Sequence, residues 1–152
     1  MEDNVRVVIR GLEAELPQRA SFRIADVLSG ISLDHYKIFT PGCRIWPKFA
    51  PASVSGLISP QDLRTLSTEK YAIEELSLHF FPRDAQPREL RDYSDYMESS
   101  CVCSILYYDC CFLEIYVKDT ALLQMLKRNI SGMHPISLTY KTNLNDDRER
   151  FI

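Results

Sequence analysis

The stretch from Cys101 to Lys118, CVCSILYYDCCFLEIYVK, is the most apolar run of the chain and constrains the fold most strongly. Its β-branched and aromatic residues favour strands, and Asp109 interrupts the run at its middle. We therefore predict a β-hairpin with arms over 101–107 and 111–118 and a turn at 108–110. Because neither arm alternates cleanly between apolar and polar residues, both faces must be covered, and we expect the hairpin to be central in its sheet.

The rest of the chain reads as a mixture of strands and helices. Apolar alternation and β-propensity predict strands over 4–10, 35–40, 72–81 and 135–142, the last with Ile136, Leu138 and Tyr140 facing inward. Prolines and capping residues predict helices over 17–30, 59–67, 87–99 and 119–132. Residues 11–16 read as a connector, and the proline-rich stretch 41–51 reads as a well-packed loop around Trp46.

This order of elements predicts an α+β fold. We expect a single domain over residues 1–152, with a largely antiparallel sheet, the hairpin at its centre and three to four helices packed on it. A chain of 152 residues is long enough for one such domain with a substantial core.

Composition excludes several classes of function. The formal net charge is −3 and no cluster of Lys and Arg forms a phosphate-binding stripe, so we do not expect nucleic acid as a partner. No apolar run reaches the ~20 residues that a membrane-spanning helix needs, and the start MEDNVRVVIRG is not typical of a signal peptide. We therefore expect a cytoplasmic protein without membrane contact, and its oligomeric state stays open.

The five cysteines, an odd number without a secretion signal, predict reduced thiols. Cys101 and Cys103 lie at the far end of the predicted hairpin from Cys110 and Cys111. At ~3.3 Å per residue the two pairs are separated by roughly 20 Å, which one metal ion cannot span. We therefore expect no metal site, with the cysteines buried as small apolar residues.

Motifs of known catalytic chemistry do not occur in the sequence. The five glycines form no phosphate-binding loop and the three histidines form no metal or nucleophile motif, so we predict no catalytic residue and no cofactor. His79 reads first as a buried residue with a local hydrogen bond and second as a catalytic one. The many tyrosines, Tyr93 and Tyr96 among them, read as core residues or as interface residues.

The chain ends in NDDRERFI, in which Arg148 and Arg150 alternate with acidic residues. Such a run is typical of a solvated tail, but arginines beside acids can also recognise a partner through bidentate contacts. A free tail has nothing to bury and therefore usually lacks apolar residues. The presence of Phe151 and Ile152 thus favours a docked end. We predict a short edge strand or clamp whose arginines pair with carboxylates of the body, such as those in residues 88–98.

Three pieces of the second half resemble a small bacterial family of uncharacterised proteins of about this length. They are the Asp92-Tyr93 to Tyr96 segment that leads into Ser100-Cys101, the hairpin that ends EIYVKD at Asp119, and the closing residues 145–150. The family tends to close with an acidic stretch followed by Thr-Arg-x-Arg, and this chain lacks the threonine. The resemblance covers mainly the C-terminal half and implies no activity, cofactor or catalytic residue.

We expect a non-enzymatic protein-binding module, most specifically an immunity-type inhibitor that neutralises a toxin domain. Its size, acidic balance and tyrosines suit a basic protein partner through electrostatic complementarity. The alternative is a small-ligand-binding protein or enzyme with a pocket beside the loop from Pro41 to Pro51, lined by Trp46, Phe49 and His79. The candidate binding residues are Trp46, His79, Tyr93, Tyr96, Arg148 and Arg150.

Overall fold

The structure of the protein is a computed structural model that describes residues 6–17, 22–47, 56–68 and 70–151. The strands are β1 (Ile9–Glu15), β2 (Tyr36–Phe39), β3 (Cys43–Trp46), β4 (Leu57–Ile58), β5 (Ala72–Pro82), β6 (Cys103–Tyr108), β7 (Phe112–Val117) and β8 (Ser137–Thr142). The helices in these ranges are α1 (Ile24–Val27), α2 (Pro60–Leu66), α3 (Tyr93–Glu98) and α4 (Thr120–Ser131). All strands join one antiparallel sheet in the order β4-β2-β5-β6-β7-β1-β8, with β3 paired to β5. The predicted α+β fold is confirmed.

The predicted hairpin lies in the middle of the sheet. β6 and β7 pair with each other, while β5 flanks β6 and β1 flanks β7. At the turn, Asp109 and Cys110 have φ angles of 51° and 60°, the left-handed region that tight hairpin turns favour. Away from the turn both arms are buried along their length, which accounts for the missing polar alternation.

The two faces of the sheet are covered by different parts of the chain. On the first face, α1, α2 and α4 pack over a large core that includes Leu78 and Ile115. On the second face, a smaller cluster includes Phe81, Tyr116 and Phe151, and the covering residues come from 83–101 and from the end of the chain. Each strand at the centre is therefore sandwiched between two apolar layers.

The first strand begins later than predicted. The sequence predicted a strand over 4–10 and a connector over 11–16, and this boundary is wrong, because β1 occupies most of the supposed connector and buries Leu12 in the core. A Cβ atom at Gly11 would lie 1.6 Å from the carbonyl oxygen of Ile115. Only glycine allows this close pairing of β1 with β7.

Two helices are shorter than predicted. The helix predicted over 87–99 is confined to α3, because Asp92 has an extended backbone and its side chain accepts a hydrogen bond from the amide of Asp95. The cap starts the helix at Tyr93, and Met97 is left exposed. Of the helix predicted over 17–30, residues 18–21 lie outside the described residues; within 22–30 only α1 is helical, and Gly30 after it has a φ of 78°.

The other two helices are as predicted. α2 begins with a capping box in which Ser59 and Asp62 bond each other's backbone amides. α4 begins after Asp119, whose carboxylate accepts a hydrogen bond from the Ala121 amide. Across the parts of the chain that the structure describes, no helix has the length and apolarity needed to cross a bilayer.

Two predictions about exposure were wrong. The stretch 41–51 was predicted to be a packed loop, but it contains β3, and Trp46 at the end of that strand is 75% exposed. Ile136 was predicted to face inward, but it precedes β8 and is 66% exposed. In β8 itself Leu138 and Tyr140 are partly buried against the first-face core, while Lys141 is fully buried.

The central position of the hairpin predicts a large cost for truncating its core residues. Ile115 is fully buried, so Ile115→Ala should lower the free energy of unfolding by about 2–4 kcal/mol through lost burial and a cavity. Urea denaturation measures this loss. The matched control Ile136→Ala removes the same atoms from an exposed site and should cost less than about 0.5 kcal/mol. Equal losses in the two variants would contradict the central placement.

Candidate functional site

The second face carries four charged side chains that are largely withdrawn from water. Glu114 lies on β7, Lys141 on β8, and Asp146 and Arg148 in residues 143–151, here called the C-terminal segment. The Nζ atom of Lys141 lies 2.5 Å from Glu114 Oε1 and 3.3 Å from Asp146 Oδ1. Arg148 contacts Glu114 Oε2 through both Nε and Nη2. The four residues, called the ion cluster, join the hairpin, the edge strand and the end of the chain.

The opposite charges of the ion cluster stabilise one another in their ionised forms. Burial alone would raise the pKa of Glu114, but Arg148 and Lys141 outweigh it and hold that pKa below its usual value. Burial likewise opposes the charge of Lys141, yet Glu114 and Asp146 keep the Lys141 pKa above its usual value. All four groups are therefore ionised at neutral pH, and the cluster is a buried salt-bridge network rather than a proton-exchanging site.

Tyrosines border the ion cluster and extend it towards α3. The Tyr116 hydroxyl donates to both carboxylate oxygens of Asp146, at 2.9 and 3.1 Å, and burial together with Asp146 raises the pKa of Tyr116. Arg10 also donates to Asp146, at 3.0 Å, and its guanidinium lies 4.0 Å from the centre of the Tyr93 ring. Asp146 therefore has partners from β1, β7 and β8.

Phe151 anchors the C-terminal segment in the aromatic layer. Its ring centre lies 4.6 Å from that of Tyr116 and 5.7 Å from that of Tyr96, and the residue is 5% exposed. Its backbone amide donates to the carbonyl oxygen of Arg91 at 2.8 Å. The prediction of a docked end is confirmed as far as Phe151; Ile152 lies outside the described residues. Arg148 pairs with a carboxylate of the body as predicted, but this carboxylate is Glu114 of β7 and not one in residues 88–98.

His79 lies under this segment and does not reach solvent. Its Nδ1 is 2.7 Å from the Ser104 hydroxyl, and its ring stacks between those of Phe39 and Phe151 at centre distances of 6.5 and 6.3 Å. Nε2 makes no hydrogen bond, and burial lowers the pKa of His79 to about 4. A neutral, enclosed imidazole fits the structural interpretation of His79 and not the catalytic one.

A groove of about 990 Å³ opens beside the C-terminal segment. Residues 41–43 line it together with Ser77 and Phe151. Its charged groups are four carboxylates and two guanidinium groups: Glu75, Glu89, Asp92 and Glu149 with Arg91 and Arg150. Three of these are engaged, because Glu75 pairs with Arg44, Arg91 pairs with Asp95, and Asp92 caps α3. In the ranges described above, Glu89, Glu149 and Arg150 form no ion pair.

The structure brings together only some of the predicted binding residues. Tyr93, Tyr96 and Arg148 meet on the second face, but they hold the C-terminal segment in place. Arg150 lines the groove. Trp46 pairs with Ala72, seven residues and roughly 23 Å along β5 from His79, so these two cannot line one pocket. Phe49 lies outside the described residues.

The ion cluster was missed by the sequence reading, although a signal existed. Glu114 is the single charged residue between Asp109 and Lys118 in an otherwise apolar and aromatic stretch. An acid at such a position must find a cation or remain at the surface. The partner, Lys141, is distant in sequence, and nothing local to Lys141 marks it as buried. Among the described residues, no group of three or more His, Cys, Asp and Glu side chains could hold a metal ion.

Comparison with known proteins gives a family but no activity. A family model described as "Protein of unknown function (DUF2691)" matches residues 9–152. The match covers nearly the whole chain, and therefore also the first half, in which the resemblance seen in the sequence was weak. No curated protein and no solved structure matches the chain.

The anchoring role of Phe151 can be measured. Phe151→Ala should lower the free energy of unfolding by about 3–5 kcal/mol, because a buried aromatic side chain is removed from a packed site. Chemical denaturation gives the value, and amide exchange in residues 143–150 should become faster. Leu144→Ala, at a site in the same segment that is 60% exposed, is the control and should change stability by less than about 0.5 kcal/mol.

The buried state of His79 predicts a dependence of stability on pH. The folded pKa of about 4 lies below the ordinary value of 6.5, so the unfolded chain binds the extra proton first. Stability should therefore fall as pH drops from about 6.5 towards 4, by on the order of 3 kcal/mol from this group. His79→Gln should remove that part of the slope in urea titrations, whereas His35→Gln, at an exposed site, should retain it. An unchanged slope in His79→Gln would contradict the assignment.

Proposed function

The chain belongs to a family of proteins of unknown function, and we propose that it is a non-enzymatic protein-binding module whose binding surface includes the groove. The more specific proposal is an immunity-type inhibitor that binds a basic toxin domain in the cytoplasm. One observation carries the proposal: carboxylates outnumber guanidinium groups in the groove by four to two. A basic partner segment is the ligand that such a surface attracts.

The free charges of the groove are arranged to receive a partner. Glu89 and Glu149 come from different segments, both are exposed, and neither is paired within the described chain. Each carboxylate is available to a cationic side chain of the partner, while Arg150 is available to an acidic one. Electrostatic attraction of this kind raises the rate of association and disfavours partners of the wrong sign.

Trp46 offers an apolar contact next to the charged groove. It is 75% exposed at the end of β3, two residues after Arg44, whose guanidinium pairs with Glu75 of the groove. An exposed tryptophan beside charged residues is the composition in which binding hot spots are enriched. The proposed interface therefore extends from the groove along β3 to Trp46.

The burial of the reactive groups favours binding over catalysis. Enzymes present an acid, base or nucleophile within reach of the substrate. On the second face, His79, Ser104 and Cys101 lie close together, but each is fully buried beneath the aromatic layer. Burial also raises the pKa of the Cys101 thiol, which keeps it protonated and unreactive.

The volume of the groove supports a second candidate, a small-ligand-binding protein. About 990 Å³ lies at the upper end of the range for ligand sites, and residues 41–43 place the groove at one end of the predicted pocket. Arg150 could then bind an anionic group of the ligand. The abundance of carboxylates and the open charged lining favour the protein partner instead.

Affinity capture of the protein from its native cell, followed by binding measurements with each purified partner, tests the proposal. The groove variant Glu89→Arg/Glu149→Arg should raise the dissociation constant of the partner at least tenfold, or by about 1.4 kcal/mol, because charge complementarity is lost. The control Asp84→Arg/Asp147→Arg makes the same change in net charge at exposed sites outside the groove and should bind normally. Affinity of the unaltered protein should fall with salt.

Two results would contradict the proposal. Equal losses in the groove variant and in the control variant would show an effect of net charge and not of the groove. Retention of a small molecule by the purified protein, released by Glu89→Arg/Glu149→Arg while no protein partner binds saturably, would establish the second candidate.

A further inference from the structure

A second cavity, of about 440 Å³, lies on the first face between α1 and the C-terminal end of α4. Phe22, Tyr107 and Met133 contribute its apolar lining, and Asp26 and Arg128 contribute charged groups. Its size is within the range of small-molecule sites, which combine apolar walls with a few polar groups. The whole sheet separates this cavity from the groove.

Two sets of contacts hold parts of the cavity wall together. Phe22 and Tyr107 stack with ring centres 3.8 Å apart and planes 9° apart, and both are less than a tenth exposed. Asn129 of α4 donates from Nδ2 to the carbonyl oxygens of Val27 and Ser29, at 2.8 Å each. This bond pair joins α4 to the end of α1, so the cavity exists without a ligand and little ordering accompanies binding.

Polar groups around the cavity are left without partners in the described chain. Tyr107 lines the cavity, and among the described residues its hydroxyl has no hydrogen-bond partner. That hydroxyl is therefore free to bond a ligand in place of water. Asp26 and Arg128 line the same cavity and form no ion pair, either with each other or with another described residue. Two opposite charges are therefore available at one apolar site.

We propose that this cavity binds a small zwitterion with an apolar side chain, of the class of free apolar α-amino acids. The carboxylate of the ligand pairs with Arg128, its ammonium group pairs with Asp26, and its side chain packs against Phe22 and Met133. The Tyr107 hydroxyl donates to the ligand. A purely anionic ligand would face the uncompensated Asp26, and a purely cationic one would face Arg128, so charge complementarity selects the zwitterion.

The proposal does not depend on the protein-binding function, because the two sites lie on opposite faces. L-Phenylalanine is the probe, and titration calorimetry or amide chemical shifts of the full chain are the measurements. Two analogues dissect its charges: 3-phenylpropionate lacks the ammonium group, and phenethylamine lacks the carboxylate. Shifts of residues around the cavity, and not around the groove, are expected with L-phenylalanine.

Variants then test which residue binds each charged group of the ligand. Arg128→Gln and Asp26→Asn should each weaken the binding of L-phenylalanine at least tenfold. Arg128→Gln should strengthen the binding of phenethylamine, and Asp26→Asn should strengthen the binding of 3-phenylpropionate, because each substitution removes the charge that repels the analogue. Arg6→Gln and Asp84→Asn, at exposed sites outside the cavity, are the matched controls and should bind L-phenylalanine normally.

Tyr107→Phe separates binding from folding. The hydroxyl has no partner in the described chain, so its removal should leave the unfolding midpoint unchanged or higher while it weakens L-phenylalanine severalfold. Absence of saturable binding with a dissociation constant below about 10 mM would overturn the proposal. Equal affinity for L-phenylalanine and both analogues, or shifts confined to the groove, would overturn it as well.

Discussion

The burial of Lys141 is the constraint on which the second face depends. Its ammonium group is 1% exposed on an edge strand, and such a charge is stable only with carboxylates in direct contact. Glu114 comes from the central hairpin, Asp146 comes from the chain just after β8, and Glu13 of β1 lies farther away, at 3.6 Å. The chain must therefore fold back over the sheet as soon as the strand ends, and it carries Arg148 onto Glu114.

The return of the chain has two structural consequences. It lays Phe151 against Tyr116 and over His79, which closes the aromatic layer, and it brings Glu149 and Arg150 into the groove. It also protects the sheet edge, because the Asn145 side chain bonds the Thr142 amide at 2.7 Å and the Tyr140 carbonyl at 3.1 Å. An inward lysine and blocked edge groups are common defences against unwanted strand pairing. The proposed binding surface thus depends on the ion cluster.

Features with a local physical cause were predictable. The hairpin around Asp109 follows from β-propensity and a residue that tolerates left-handed backbone, and α4 follows from the Asp119 cap. Boundaries were less predictable, because local signals compete. Asp92 caps α3 and ends any helix before it, although residues 87–91 also had a helical pattern. The docking of Phe151 could be predicted from its apolar side chain, but the residues that it contacts could not.

The sequence by itself determined the α+β class, the central hairpin, the capped helices and a docked end, because each depends on residues within a few positions. Tertiary structure alone decided which side chains meet. Glu114 and Lys141 are far apart in the chain, and their contact requires β1 to lie between β7 and β8. His79 is buried because Phe151 of the C-terminal segment packs over it, whereas Trp46 is 75% exposed at the end of β3. Burial is a property of the assembled layers, so neither the groove nor the cavity beside α4 could be located before the faces of the sheet were known.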